Sequence, residues 1–144
     1  MYLTKYFTSI FVFLGLSISV NAGPALIYDL GGKFDKSFNE AAFNGAERWK
    51  EDTGGKYLDI ELQSEAQREQ ALRRFAESGA NPIVMTGFAF SSMLAEVAPD
   101  DPETKFGIVD GYAPLDNVLN IGFSEHEGSF LVGMIAGMKS KSGV

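Results

Sequence analysis

The chain has 144 residues, 45% of them hydrophobic, and a formal net charge of −7. This length and composition suit one domain with an ordinary core, while the acidic balance disfavours nucleic acid, whose phosphates need clustered Lys and Arg. The sequence has no cysteine and one histidine, which excludes disulfides, thiolate metal sites and His-rich metal clusters. We therefore expect no metal and no other cofactor.

The amino terminus has the pattern of a secretory signal. Lys5 provides a basic start, residues 10–20 are apolar, and Val20-Asn21-Ala22 has the small-x-small ending of a cleavage site. The apolar run is short for a membrane span of about 20 residues, which favours a cleaved signal over a transmembrane anchor. We expect cleavage after Ala22 and a mature protein in the periplasm.

A strand, a loop and a helix start come next. The apolar run at residues 25–28 predicts a buried parallel strand, with Asp29 at its carboxyl end. Gly31-Gly32 lets the loop turn, and Ser37 with Glu40 fits an S-x-x-E capping box at a helix start. One face of that helix is apolar, at Ala42, Gly45, Ala46 and Trp49.

The remaining chain alternates strand and helix patterns. Further strands are predicted at residues 57–62, 82–86, 105–109 and 118–123, and helices at residues 64–78, 91–97 and 127–139. Ser64 and Gln67 fit a second capping box. The alternation predicts an α/β fold with a parallel sheet and right-handed crossovers. The last helix is followed by a loop of the kind that leads to another strand, so we expect an incomplete chain.

Polar or aromatic residues follow three of the predicted strands. Because parallel strands end at one edge of a sheet, where open α/β sheets bind ligands, these residues form a candidate ligand site. They are Asp29, Phe38, Asn39, Gly87, Phe88 and Asp110. Phe38 can stack on a flat ring, and Asn39 can both donate and accept hydrogen bonds. Asp29 and Asp110 accept bonds from hydroxyls or amines and repel phosphate, so a neutral ligand with a ring and hydroxyls is predicted.

Several of these residues also have an ordinary structural explanation. Phe38 could pack beneath the sheet, and Asn39 could serve only the start of its helix. Asp110 stands before Gly111 in a common turn pair. Phe88 and Phe90 alternate, so at most one of them faces the crevice.

Motifs for phosphate binding and for catalysis are not present. Residues 32–37 differ from a P-loop because Asp35 replaces the required glycine, and no G-x-G-x-x-G follows the first strand. No Ser-His-acid arrangement can be argued. The pair Asp29 and Asp110 could do acid–base work, but nothing supplies a nucleophile or a metal beside it. We therefore expect no catalytic residues and no enzyme activity.

The segments at residues 28–32 and 35–39 resemble the amino-terminal signature of the basic membrane protein family. This family comprises substrate-binding proteins of ABC transporters and includes PnrA-like purine nucleoside receptors. The likeness continues through Gly87-Phe88, residues 106–110 and residues 127–133, in the family's order.

The resemblance implies a type I periplasmic binding protein fold, in which two α/β lobes close on a ligand. Residues 1–22 would be the signal peptide, residues 23–121 the amino-terminal lobe, and residues 122–144 the crossover with the first helix of the second lobe. Since the rest of that lobe is missing, we expect this form to bind a nucleoside weakly or undetectably. The implied partner is a transporter permease at the membrane.

The resemblance also implies roles for the candidate site. Phe38 would stack on a nucleobase, with polar contacts from Asp29, Asn39 and Asp110. Gly87 and Phe88 would border the cleft. Many family members carry a lipobox cysteine, and its absence here implies a soluble periplasmic protein without a lipid. Two alternatives stay open: a ligand sensor of the same fold, and a secreted nucleoside hydrolase.

Overall fold

The computed structural model describes residues 22–143, so the predicted signal lies outside the described residues except for Ala22. Five parallel strands form one sheet in the order β2-β1-β3-β4-β5. The strands are β1 (Ala25–Tyr28), β2 (Leu58–Glu61), β3 (Ile83–Thr86), β4 (Phe106–Val109) and β5 (Val118–Ile121). The helices are α1 (Phe38–Thr53), α2 (Gln67–Glu77), α3 (Ser91–Val97) and α4 (Glu125–Lys139), and a 3-10 turn at Phe88–Phe90 precedes α3. The predicted α/β fold with a parallel sheet is confirmed.

The main core lies between the sheet and the layer formed by α2 and α3. Alternate strand residues such as Ile27, Met85 and Ile108 are fully buried in one cluster with Leu72 of α2 and Leu94 of α3. The period of two along each strand sends these side chains to one face of the sheet. Helix α2 therefore turns its apolar face, with Leu72 and Ala76 buried, toward the sheet.

The opposite face of the sheet is covered by α1, and the cover is incomplete. A cavity of about 460 Å³ lies between α1 and the sheet. Its lining comprises Pro24, Ala25, Leu26, Ala42, Ala46, Trp49, Tyr57, Pro82, Val84 and Val109. The inward side of α1 carries short alanine side chains here, and these leave space over the strands. The apolar face predicted for the first helix thus faces the sheet without filling the gap.

The capping box predicted at Ser37 is wrong, because the helix is capped by Asp35. Ser37 is the N-cap residue but makes no capping bond with its side chain. The Asp35 carboxylate instead accepts the backbone N–H of Ser37 at 2.8 Å, of Asn39 at 3.1 Å and of Glu40 at 3.2 Å. Glu40 accepts the N–H of Lys36 at 3.0 Å. A carboxylate reaches more of the orphan donors than a hydroxyl does, and its charge suits the helix dipole.

The second predicted capping box also differs from the structure. Helix α2 begins at Gln67 with Ala66 as its N-cap residue, three residues later than predicted. The Gln67 side chain accepts the backbone N–H of Gln63 at 2.7 Å, and the chain from Ser64 forms a turn ahead of the helix. The pattern located the helix, but the turn displaced its first residue.

The Asp35 cap predicts a pH-dependent contribution to stability. Desolvation raises the pKa of Asp35, but the hydrogen bonds from Asn39, Glu40 and Ser37 outweigh it and hold the pKa below its ordinary value of 3.8. An acid with a lowered folded-state pKa stabilises the fold above its unfolded pKa, and this contribution is lost as the pH falls through the folded value. We expect Asp35→Ala to lower Tm at neutral pH, and the gap from the unmodified chain to shrink below about pH 4.

Thermal unfolding followed by circular dichroism across this pH range tests the cap. Asp52→Ala is the matched control, since Asp52 is an exposed acid in the last turn of the same helix. Its removal should cause no loss of Tm, because acids near a helix carboxyl end are unfavourable. A gap for Asp35→Ala that stays constant with pH would contradict the assignment.

Helix α4 differs from the other helices because none of its residues is buried. Its exposed large apolar side chains are Phe130, Leu131, Val132, Met134, Ile135 and Met138. The helix predicted at residues 127–139 is confirmed, and it begins two residues earlier than expected. Within residues 22–143, no helix combines the length and hydrophobicity needed to cross a membrane.

Candidate functional site

The carboxyl ends of three neighbouring strands bring Asp29, Gly87 and Asp110 to one edge of the sheet. Asp29 follows β1, Gly87 follows β3 and Asp110 follows β4, in the spatial order of those strands. The Asp29 N–H donates to the Thr86 hydroxyl at 3.0 Å, and the Gly87 N–H donates to the Val109 carbonyl at 2.8 Å. The first bond uses a side chain and the second continues the backbone ladder past the strand ends. The parallel register of β1, β3 and β4 places the three residues side by side.

Asp29 is held by a side chain that the sequence pattern did not single out. Arg68 of α2 donates from Nε at 3.0 Å and from Nη2 at 2.8 Å, both to Oδ1 of Asp29. The Arg68 guanidinium also lies 5.9 Å from the centre of the Phe90 ring. Arg68 is 8% exposed. One carboxylate oxygen is therefore engaged inside the protein, while Oδ2 accepts no hydrogen bond from the residues that the structure describes.

Gly87 stands directly against the other oxygen of Asp29. A Cβ atom at Gly87 would lie 2.9 Å from Oδ2 of Asp29, closer than real Cβ contacts come. Gly87 also has φ of +103° and ψ of 143°, a conformation that is essentially restricted to glycine. The glycine therefore keeps space for the carboxylate at the strand tip.

Asn39 joins the β1–α1 loop to the sheet from a buried position. Its Nδ2 donates to the Asp29 carbonyl at 3.0 Å and to the Gly32 carbonyl at 3.1 Å. Its Oδ1 accepts the Thr86 hydroxyl at 2.8 Å, and the residue is 2% exposed. Both donors and one of two acceptor positions are thus used internally. A direct contact of Asn39 with a ligand stays a prediction, and its positioning of the loop is structural fact.

The same loop is fastened to the edge strand β2. The Lys33 N–H donates to the Glu61 carboxylate at 2.9 Å, and the Lys33 ammonium forms an ion pair with Asp59. That ammonium also lies 5.5 Å from the centre of the Tyr28 ring. The loop between Asp29 and α1 is therefore held at both ends and in its middle by hydrogen bonds and an ion pair.

The aromatic candidates occupy different environments. Phe90 is fully buried in the core and Phe88 is 75% exposed, so only Phe88 is available at the site edge, as their alternation predicted. Phe38 is half-buried at the first position of α1, next to Asn39. Tyr112 is 67% exposed after Asp110, and sequence reasoning missed it. Its place two residues beyond a strand-tip acid was the available signal.

Asp110 adopts a left-handed backbone conformation with φ of +58°. Few residues other than glycine adopt this region, and short polar ones such as Asp do so at the smallest cost. Asp110 lies in a turn, as expected for this Asp-Gly pair, and a Cβ atom added at Gly111 would clash with the Ile108 side chain. The turn accounts for the backbone, and a ligand contact from the half-buried carboxylate stays a prediction.

Most of the backbone N–H donors that could bind an anion at the start of α1 are already bonded. Helix amino termini bind phosphate through free N–H groups, and here Asp35 accepts three of them. Within residues 22–143 no group of three or more His, Asp or Glu side chains could hold a metal ion. His126 is exposed at the start of α4, far along the chain from the strand-tip residues.

A parallel α/β lobe with acids and aromatic rings at the carboxyl edge of its sheet is the architecture of a ligand-binding lobe. The chain belongs to the family described as ABC transporter substrate-binding protein PnrA-like, whose profile matches residues 25–144. This confirms the resemblance seen in the sequence, and the matched class is one of binding proteins.

Individual relatives agree with the family assignment. A CD4+ T-cell-stimulating antigen of Listeria monocytogenes is 33% identical over 125 residues, covering 82% of this chain and 35% of the relative. An uncharacterized lipoprotein of Pyrococcus furiosus is 35% identical over 118 residues, covering 78% of this chain and 29% of the relative. The chain therefore spans about a third of the length of these curated relatives.

A solved structure confirms the fold. The solute-binding protein of an ABC transporter system from Aeropyrum pernix superposes with a TM-score of 0.74 at 37% sequence identity. The match covers 79% of this chain and 32% of that protein. The periplasmic-binding-protein-like fold expected for a fragment-sized α/β domain is thereby established.

Proposed function

We propose that this chain is the amino-terminal lobe of a substrate-binding protein that delivers a neutral, nucleoside-like ligand to an ABC transporter permease. The observation that carries the proposal is the row of Asp29, Gly87 and Asp110 at adjacent strand tips. Such a row offers carboxylate acceptors to hydroxyl or amino groups at the place where open α/β sheets bind ligands.

The charges at the site favour an uncharged ligand. Arg68 neutralises Asp29, Asp110 is left as a second acid, and the donors at the start of α1 are taken by Asp35. A phosphate would meet carboxylates and find most of the donors at the start of α1 already bonded to Asp35, so a nucleotide fits worse than a nucleoside.

Aromatic contacts would supply most of the affinity for a base. Phe38 would stack on one face of the ring, while Gly87 and Phe88 would border the cleft. Stacking a base on an aromatic side chain is worth about 1–3 kcal/mol. Asn39 would hold the loop beside the ring and offer its remaining acceptor position.

Burial supports the proposed division of the chain. Residues 23–121 form the lobe, and residues 122–144 would be the crossover and first helix of a second lobe. Helix α4 supports this division because none of its residues is buried, although its apolar side chains are those of a core helix. Closure of two lobes about a hinge would then enclose the ligand.

We further propose export by a cleaved signal ending at Ala22 and work in the periplasm. The Pyrococcus furiosus relative carries the name lipoprotein. The present 144 residues contain no cysteine, and this supports a mature chain that carries no cysteine-linked lipid within this sequence.

Nucleoside titration of the isotope-labelled chain tests the proposal. Inosine should shift the amide signals of Asp29, Gly87 and Asp110, and Phe38→Ala should weaken its affinity about tenfold through the lost stacking. Shift titration suits half a cleft because it detects millimolar affinity. Phe34→Ala is the matched control, since Phe34 is an exposed ring in the neighbouring loop.

Three results would count against the proposal or part of it. The first is inosine monophosphate binding more tightly than inosine, which would contradict the charge argument. The second is the release of hypoxanthine from inosine during the titration, which would favour a secreted hydrolase instead. An affinity unchanged by Phe38→Ala would remove the stacking role.

A further inference from the structure

We propose that Arg68 is a positioning residue that selects the rotamer of Asp29 and so determines which of its oxygens a ligand meets. This inference rests on the proposed function for its ligand, while the geometry itself belongs to the ligand-free protein. It gives α2, which otherwise only packs against the sheet, a part in ligand binding.

The ion pair between Arg68 and Asp29 is asymmetric. Both Arg68 donors, Nε and Nη2, point to the single oxygen Oδ1 of Asp29, at 3.0 and 2.8 Å. A guanidinium that faced both oxygens would occupy one acceptor position on each of them. Here Oδ1 carries the internal bonds and Oδ2 is left for another donor.

The Arg68 side chain is held rigidly. Its side chain is 9% exposed, and its guanidinium lies 5.9 Å from the ring centre of Phe90, a fully buried core residue. Because the guanidinium is packed in this way, Arg68 holds one conformation. Its two donors therefore fix the orientation of the Asp29 carboxylate.

The free oxygen of Asp29, Oδ2, faces the edge of the sheet beside Gly87. Oδ2 lies against Gly87, where even a single added methyl group would approach to 2.9 Å. The Asp29 side chain retains 24% exposure, so Oδ2 is reachable from the edge of the sheet. Arg68 on one side and the bare Gly87 backbone on the other thus define a single direction for an incoming hydroxyl or amine.

The ligand-free protein provides the first test. Side-chain coupling constants measured by NMR should report one χ1 rotamer for Asp29 in the unmodified chain and averaged values in Arg68→Met. Arg73→Met is the matched control, because Arg73 lies on the same helix in exposed pairs with Glu69 and Asp100. An Asp29 rotamer that stays single in Arg68→Met would overturn the inference, whether or not any nucleoside binds.

A double-mutant cycle with inosine provides the second test. If Arg68 acts only through Asp29, Arg68→Met should weaken binding about fivefold to tenfold alone and have almost no further effect in the Asp29→Ala background, which removes the carboxylate altogether. Arg68→Lys should recover part of the affinity, since it keeps the charge but loses the fork. An equal loss in both backgrounds would mean that Arg68 touches the ligand itself, which contradicts a positioning role.

The role of Arg68 can still be decided if a variant does not fold or if inosine does not bind. If Arg68→Met does not fold, Arg68→Lys carries both measurements, and an Asp29 side chain as ordered as in the unmodified chain would overturn the proposal. If inosine shifts no amide signal even at millimolar concentration, this lobe gives no support to the nucleoside ligand, while the rotamer measurement still decides the role of Arg68.

Discussion

Asn39→Ala is expected to lower the free energy of unfolding by about 3 kcal/mol, the largest loss of any single polar substitution at this edge of the sheet. The amide makes three internal hydrogen bonds from a position that is 2% exposed. Its removal leaves the carbonyls of Asp29 and Gly32 and the hydroxyl of Thr86 without that partner. Chemical denaturation followed by circular dichroism measures the loss.

Two companion variants identify the cause of that loss. Asn39→Asp keeps the shape but cannot donate to two carbonyls, so we expect nearly the same destabilisation. Asn44→Ala, at an exposed position of the same helix, should stay within about 0.5 kcal/mol of the unmodified chain. A mild effect of Asn39→Ala would mean that water replaces the amide, and the loop would then not depend on it.

Gly87→Ala is expected to cost about 2–3 kcal/mol in stability and to displace the Asp29 carboxylate. The conformation at φ of +103° is unfavourable for any side chain. In addition, the new methyl group would meet Oδ2 of Asp29 at 2.9 Å, and Asp29 has little freedom to retreat because Arg68 holds its other oxygen. Denaturation gives the stability, and a crystal structure gives the carboxylate position.

Gly45→Ala serves as the control for the glycine substitution. Gly45 lies within α1, and a Cβ atom there would meet nothing within 4 Å. The change should therefore raise stability by about 0.5–1 kcal/mol through helix propensity. If Gly87→Ala were as well tolerated as Gly45→Ala, the close approach between Gly87 and Asp29 would have no energetic importance.

Most of the fold was predictable because it depends on short-range patterns. The apolar runs of β1, β3 and β4 and the stop at Gly54, which has φ of +68°, are local signals that agree with the tertiary structure. The helix starts were less predictable, since a carboxylate at Asp35 competes with the hydroxyl at Ser37 for the same N–H groups. Sequence spacing alone does not decide such a competition.

The candidate site was predictable to the level of its strand tips. The parallel register brings Asp29, Gly87 and Asp110 together, as residues following buried strands should be. The partners Arg68 and Thr86 were missed because their bonds to the site span 39 and 57 residues along the chain. A charged residue on the inner face of α2, one turn before Leu72, was the only sign of the ion pair.

At the edge of the sheet, the inner residues at the strand ends contact one another, while the outer aromatic residues are largely independent of them. Asp29, Asn39 and Gly87 share contacts, so altering one disturbs the others. Phe88 and Tyr112 are 75% and 67% exposed, so exchanging them costs the core little. New ligand preferences would therefore evolve more readily through the outer rings than through the inner acid and amide.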